Sequence, residues 1–100
     1  MKTIKELLME QRERHGWKEY HNPKDLAVAL NIETSELLEN FLWKENKDLN
    51  EEDLEKIGLE IADVFSYLFY LSDTLGIDIN EVVENKVKIN NERFKDGWKK

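Results

Sequence analysis

The sequence predicts an all-α domain, and three observations support this fold class. Apolar residues recur at helical spacing, as Ile4, Leu7 and Leu8 do near the N-terminus. Residues that cap helices precede four segments of this kind. No segment alternates apolar and polar residues with a period of two, and the one proline, Pro23, stands where a helix is expected to begin. We therefore predict a compact bundle of about four helices.

The first two helices are predicted from their ends. Thr3 and Glu6 have the spacing of a capping box, and Gly16 is expected to end the helix that they begin. Residues 22–25, Asn-Pro-Lys-Asp, provide an N-cap, a proline at the first helical position and an acid in the first turn. The second helix is expected to run from there to about Trp43.

The last two helices follow a polar loop at residues 44–50. The asparagine that closes this loop is followed by three acids, a pattern that caps a third helix ending at Gly76. Asp78 and Glu81 form the capping-box pattern of a fourth helix, which is expected to fray after Phe94.

Helices two and three carry apolar side chains around most of their circumference, in segments 26–30, 37–43, 57–61 and 64–71. Helices of this kind are buried on several sides, so we interpret these segments as core. A domain of 100 residues has room for only a limited core. We therefore expect the chain to form a homodimer or homotetramer through its central helices.

Composition limits the classes of function. The chain has 40% hydrophobic residues and neither an internal repeat nor a Gly/Ser-rich stretch, so residues 1–100 are expected to form a single domain. A net charge of -7 argues against binding a nucleic-acid polymer, and the lack of cysteine excludes disulfides and thiolate chemistry. We find no signal-peptide hydrophobic region and no apolar run long enough for a membrane span, so a cytoplasmic location is expected.

Two pairs of acids interrupt the apolar helices: Glu33 with Glu36, and Glu60 with Asp63. Residues three apart share one helical face, and an unpaired buried carboxylate is costly, so four acids converging on one site need cations. Carboxylates without His or Cys suit Mg²⁺ or Mn²⁺ and match zinc poorly. The alternative from spacing alone is that these acids are solvated, because 22 of the 100 residues are acidic.

The segment Glu33-Thr-Ser-Glu36, followed by Glu60-Ile-Ala-Asp63, resembles the ExxE…ExxD signature of the MazG-like all-α nucleotide pyrophosphohydrolases. Segments 21–26, 41–44, 63–68 and 86–90 look like the dCTP pyrophosphatase branch of that family. The resemblance extends over roughly residues 3 to 95, in the same order and spacing.

The resemblance implies cleavage of a nucleoside triphosphate between its α and β phosphates, with Mg²⁺, to give a monophosphate and pyrophosphate. It implies that the four acids are the metal ligands and that the substrate is dCTP or a related or modified deoxynucleotide, removed from the nucleotide pool as house-cleaning. Either Glu33 or Glu36 would orient the attacking water. Many members open the motif with a Glu-Glu pair where this chain has Ile32 before Glu33, so the choice between them stays open.

Further substrate-binding residues are expected on the last helix. Lys86, Asn90 and Arg93 share one helical face and are able to bind phosphate and sugar oxygens, although an ordinary solvated face gives the same spacing. The resemblance supports Lys86 and Asn90 in this role.

Flat side chains near the acids are suited to stacking on a base or hydrogen bonding to it. They are His21, Trp43 and Tyr67. For Tyr67 the alternative is ordinary core packing. Trp17 and Tyr20 are expected to cover the pocket from the first loop, and Trp98, in the basic tail at residues 95–100, has no assigned role.

Two alternatives remain open, one with another substrate and one from a different class of function. The same fold would serve an enzyme acting on dUTP, a damaged purine triphosphate or a phosphoribosyl-nucleotide. The chain would otherwise be a non-catalytic helical interaction module, whose acids bind a structural cation or water.

Overall fold

The structure, a computed structural model, describes residues 1–97, so Trp98 and the end of the basic tail lie outside the described residues. Four α-helices account for most of these residues: α1 (Ile4–Arg14), α2 (Pro23–Glu39), α3 (Glu51–Thr74) and α4 (Ile79–Arg93). Two short 3₁₀ helices, Trp17–Tyr20 and Asn46–Asp48, lie in the loops that precede α2 and α3. Residues 1–97 contain no strand, which confirms the predicted all-α class.

The predicted helix starts are confirmed by their capping hydrogen bonds. The side chains of Thr3, Asn22, Asn50 and Asp78 each accept a backbone N–H from the first turn of the helix that follows. At α3 the capping box is complete, because the Asp53 carboxylate also accepts the backbone N–H of Asn50.

Two helix ends show how the chain leaves the helical path. The predicted extension of α2 to Trp43 is wrong, since the helix ends at Glu39. The turn beyond it tightens through a hydrogen bond from the Phe41 N–H to the Leu38 carbonyl, and Trp43 then takes a left-handed backbone with φ 65°. Gly76 follows the end of α3 with φ 71°, close to the predicted end of that helix.

The helices α2 and α3 form an antiparallel pair that positions the two acid motifs. Leu26, at the start of α2, packs in the core with Phe69, near the end of α3. Further along α2, Glu33 approaches Glu60, which lies earlier in α3. Residue numbers therefore rise along one helix as they fall along the other, and the acids face each other across the pair.

The helix α1 is fixed against the C-terminal half of α3. Leu8 belongs to the buried core, and its carbonyl accepts a hydrogen bond of 2.9 Å from the Tyr70 hydroxyl. Arg12, only 6% exposed, donates to the Asp73 carboxylate at 2.7 Å. A buried guanidinium needs such a partner, so this ion pair holds α1 in place.

The core of one chain is smaller than the sequence predicts. Its buried apolar residues are Leu8, Leu26, Ile57, Phe69 and Tyr70. By contrast, Leu38 and Leu59, in segments expected to be buried, are 61% and 66% exposed. The reason is geometric, because α2 and α3 cover only one face of each other, α1 covers one end, and α4 has no buried residue. Among residues 1–97, no helix combines the length and apolar character needed to cross a membrane.

Candidate active site

The candidate metal site is a cluster of carboxylates between α2 and α3. One carboxylate oxygen each from Glu33, Glu36 and Glu60 lies within 4.8 Å of the others. Asp63 joins them closely enough for its charge to affect both Glu33 and Glu60. The structure thus brings together the four acids predicted as metal ligands. The expectation that all four point inward is met only in part, since Glu33 and Glu60 are half-buried whereas Glu36 and Asp63 are exposed in one chain.

Two oxygens in this cluster lack partners. Glu33 Oε2 and Glu60 Oε2 are both buried, and neither has a hydrogen-bond partner among residues 1–97. Buried polar atoms in native proteins are normally paired, and an unpaired one is costly. A cation would satisfy both oxygens, and a donor set made only of carboxylates fits a hard ion such as Mg²⁺.

The local field opposes ionisation of these acids. Burial raises the pKa of Glu33 to about 6, assisted by a hydrogen bond with Glu36 that favours the protonated form and by the charges of Glu36, Asp63 and Glu60. Burial is also the largest cause of the raised pKa of Glu60. The negative charges of neighbouring acids raise this pKa further, and these acids are Glu36, Asp63 and Glu39. The cluster therefore concentrates negative charge that protons or cations must offset.

A cleft of about 560 Å³ adjoins the cluster, and Glu33 and Asp63 both line it. Its aromatic lining comes from the loop after α1 and from α3: Trp17, Tyr20, His21, Tyr67 and Tyr70. The predicted cover from Trp17 and Tyr20 and the predicted placement of His21 and Tyr67 near the acids agree with this arrangement. A flat apolar ligand part bound here would lie beside the carboxylates.

The surroundings of the cleft set the protonation of two of its lining side chains, His21 and Tyr67. His21 packs its ring 4.8 Å from that of Tyr70, and its Nδ1 is buried without a partner in the described part of the chain. Burial, with the charge of Arg12, lowers the pKa of His21, so the ring is neutral near pH 7. Burial and the charges of Glu33 and Asp63 raise the pKa of Tyr67, which keeps its hydroxyl as a donor.

Four predicted substrate-binding residues do not line this cleft. They are Trp43, Lys86, Asn90 and Arg93. Trp43 is 99% exposed, and α4, which carries the other three, makes no extensive contact with α1, α2 or α3. These four residues are thus not part of the cleft of their own chain, and their roles stay predictions.

Three polar residues that sequence reasoning missed belong to this region. The charge of Glu39 raises the pKa of Glu60. Glu39 lies three residues after Glu36, and this spacing already placed it on the same helical face as the predicted metal ligands. Gln11 and Asp25 line the cleft, but nothing distinguishes them in the sequence from other polar residues on helices.

Fold and site together define a class: a helical domain whose central antiparallel pair presents carboxylates beside an aromatic cleft. The sequence profile of the MazG-like family matches residues 28–97, and the chain belongs to this family. This confirms the resemblance carried by the two acid motifs.

Individual relatives agree with the family assignment. The dCTP pyrophosphatase 1 of Homo sapiens is 30% identical over 99 residues, and that of Mus musculus is 29% identical. Each alignment covers 94% of this chain, which spans 58% of the length of these relatives. A crystal structure of a pyrophosphatase from Archaeoglobus fulgidus superposes with a TM-score of 0.75 and 41% identity, covering 89% of this chain and 86% of the other. The predicted relationship to dCTP pyrophosphatases is thereby confirmed.

Proposed function

We propose that this protein is a Mg²⁺-dependent nucleoside triphosphate pyrophosphohydrolase that cleaves the α-β phosphate bond, acting on dCTP or a related or modified deoxynucleotide. The observation that carries the proposal is the approach of Glu33, Glu36 and Glu60 within 4.8 Å beside an aromatic cleft. The names of the relatives support it, since they describe dCTP pyrophosphatases and a pyrophosphatase. House-cleaning of the nucleotide pool is the proposed role, and a cytoplasmic location fits it.

The proposed metal ligands are the clustered Glu33, Glu36 and Glu60 together with the neighbouring Asp63, which would hold Mg²⁺ or, as a substitute, Mn²⁺. When bound, the metal supplies positive charge that offsets the charge of the triphosphate and of the departing pyrophosphate. Glu33 or Glu36 orients the attacking water and accepts its proton.

The cleft is the proposed binding site of the base. Trp17 and Tyr67 offer aromatic faces for stacking, and the ring of His21 lines the same cleft and would pack against the base. Stacking on one side and carboxylates on the other would fix the nucleotide with its phosphates toward the acids. Positioning of this kind lowers the entropic part of the barrier.

We also propose that the chain works as a homodimer or homotetramer. Leu38 on α2 and Leu59 on α3 are more than half exposed, and Val83 and Ile89 on α4 are 50% and 57% exposed. Apolar side chains on several faces favour burial against a second copy. Since Trp43, Lys86, Asn90 and Arg93 do not line the cleft of their own chain, their predicted contacts with nucleotide would be made to the cleft of a partner subunit.

Thermal unfolding tests this proposal against the alternatives. A ligand that binds only the folded state raises the melting temperature, and saturation at about 100 times Kd stabilises by about 2.7 kcal/mol. We expect Mg²⁺ to raise it, and dCTP with Mg²⁺ to raise it further than dUTP, a damaged purine triphosphate or a phosphoribosyl-nucleotide. A larger shift with one of those three would change the assigned substrate. No shift with Mg²⁺ or any nucleotide would support a non-catalytic interaction module.

A further inference from the structure

Trp43 combines backbone strain with full exposure. It is the one non-glycine residue among residues 1–97 that has a positive φ, at 65°. A bulky side chain in this region of backbone space is unfavourable and persists only where the surrounding structure imposes it. The indole ring itself gives no compensating contact, because the residue is 99% exposed.

The neighbouring residue supplies the constraint. Lys44 Nζ donates to Oδ1 of Asp53, a residue in the first turn of α3 that is only 9% exposed. Asp53 is held in turn by Asn50, since its Oδ2 accepts the Asn50 N–H at 3.1 Å and its own N–H donates to Asn50 Oδ1 at 2.9 Å. The chain immediately after Trp43 is therefore fixed to the rigid start of α3.

The other side of Trp43 is also fixed. The Lys44 N–H donates to the Phe41 carbonyl at 3.3 Å, which closes a turn around Trp43. The hydrogen bond from Lys44 is the main cause of the lowered pKa of Asp53, and the hydrogen bond from the Asn50 backbone lowers this pKa further. The Asp53 carboxylate therefore stays ionised near neutral pH and keeps its contact with Lys44. Turn and ion pair together leave the backbone at Trp43 little freedom.

We propose that Lys44 and Asp53 are positioning residues that hold Trp43 in its left-handed conformation and so present its indole ring to the base of a nucleotide bound in a second copy of the chain. This inference rests on the proposed function. Neither residue touches substrate, since both act through the placement of Trp43. Preorganising an aromatic contact lowers the cost of binding, so losing the ion pair should weaken nucleotide binding and leave the chemical step largely unchanged.

Steady-state kinetics on dCTP with Mg²⁺ tests this role. Lys44→Met removes the charge and keeps most of the side-chain length, and we expect it to raise KM about tenfold while kcat changes less than about twofold. Lys44→Arg, which retains an ion pair with Asp53, should restore KM. Lys47→Met is the matched control, because Lys47 lies in the same loop and forms no ion pair within the described residues. It should behave like the wild type.

A double-mutant cycle separates positioning from a general effect on the fold. If Lys44 acts through Trp43, Lys44→Met should have no further effect on KM in a Trp43→Ala background. The same increase in KM in both backgrounds would overturn the proposal, as would an unchanged KM in the single Lys44→Met variant.

A second measurement does not depend on turnover. In a chain carrying Trp17→Phe and Trp98→Phe, Trp43 is the only tryptophan, and its time-resolved fluorescence anisotropy reports motion of the ring on the nanosecond scale. Lys44→Met should enlarge the fast component of the decay, because backbone motion at Trp43 then adds to the rotation of the exposed ring, whereas Lys47→Met should not. Identical decays would overturn the positioning role. A wild type inactive on dCTP contradicts the proposed function, whereas the anisotropy still decides whether Lys44 holds Trp43.

Discussion

Glu33 on α2 and Glu60 on α3 each bury one carboxylate oxygen that has no hydrogen-bond partner within residues 1–97. An oxygen of each also lies within 4.8 Å of one from Glu36. Bringing like charges together in a partly buried place opposes ionisation, as the raised pKa values of Glu33 and Glu60 show. The helix pair thus holds together groups that repel one another, which is the cost expected of a site built to receive a cation.

The exposed members of the cluster give the first prediction. Glu36→Gln and Asp63→Asn should each lower pyrophosphate release by at least about a hundredfold, because each removes a carboxylate from the proposed metal site. Circular dichroism should show unchanged helix content. In metal-free buffer the melting temperature should stay the same or rise by up to about 4 °C, since each change relieves repulsion in a small domain.

Glu55→Gln is the control for this pair, because Glu55 is an exposed acid on α3 outside the cluster. It should retain wild-type release of pyrophosphate. Wild-type turnover by Glu36→Gln or Asp63→Asn would contradict the assignment of the metal ligands.

The second prediction concerns pH. The pKa of Glu33 is about 6 in the folded chain against 4.5 for an unperturbed glutamate, so between these values the folded state binds more protons than the unfolded state. The contribution of Glu33 to the free energy of unfolding of the metal-free protein should therefore fall as pH rises from about 4.5 to about 6. Glu33→Gln should remove this contribution.

The measurement is the melting temperature in EDTA across this pH range, taken as the difference between the wild type and Glu33→Gln. We expect the wild type to lose stability relative to the variant as pH rises. A difference that is constant with pH, or that changes in the opposite direction, would show that the cluster does not raise the pKa of Glu33.

The third prediction tests the anchor of α1. Arg12→Met should lower the free energy of unfolding by about 2–3 kcal/mol, less than for a fully buried pair because the Asp73 side chain is 36% exposed. Urea unfolding at one protein concentration measures this. Arg14→Met, at an exposed position two residues along the same helix, should change stability by less than about 0.5 kcal/mol. Equal effects of the two substitutions would contradict the assigned anchor.

The fourth prediction concerns self-association. Leu59→Asp places a charge on α3 where the wild-type side chain is 66% exposed in one chain, and it should shift the molecular mass measured by light scattering toward the monomer. If partner subunits complete the nucleotide site, activity should fall with it. Lys5→Glu, which adds negative charge at an exposed position of α1, outside the faces proposed to associate, should leave the mass unchanged. A wild type that is monomeric at micromolar concentration would rule out the proposed assembly.

The fold was predictable because its helix ends depend on local chemistry. Each N-cap side chain accepts a backbone N–H only two or three residues further along the chain, so the capping pattern can be recognised in the sequence. The four N-cap residues are Thr3, Asn22, Asn50 and Asp78. The end of α2 was placed too late, because Leu42 and Trp43 continue the apolar pattern although the backbone has already turned. Hydrophobic periodicity does not report such a turn.

The site was predictable in part for a similar reason. The acids on α2 and α3 stood out by their apolar surroundings, and an antiparallel pair was enough to bring them together. Neither the isolation of α4 nor the ion pair of Lys44 with Asp53 has a sequence signature, because both depend on packing between distant or looped segments. In the proposed assembly, the roles of Lys86 and Trp43 would also depend on contacts between chains, which hydrophobic periodicity does not predict.

Product analysis after incubation with dCTP and Mg²⁺ tests the central claim most directly. Chromatography of the nucleotide, with separate assays for pyrophosphate and orthophosphate, identifies the bond that breaks. We predict dCMP and pyrophosphate in equal amounts from the wild type, and neither product in EDTA or from Glu36→Gln. Formation of dCDP and orthophosphate, or unchanged dCTP in the presence of Mg²⁺, would contradict the account.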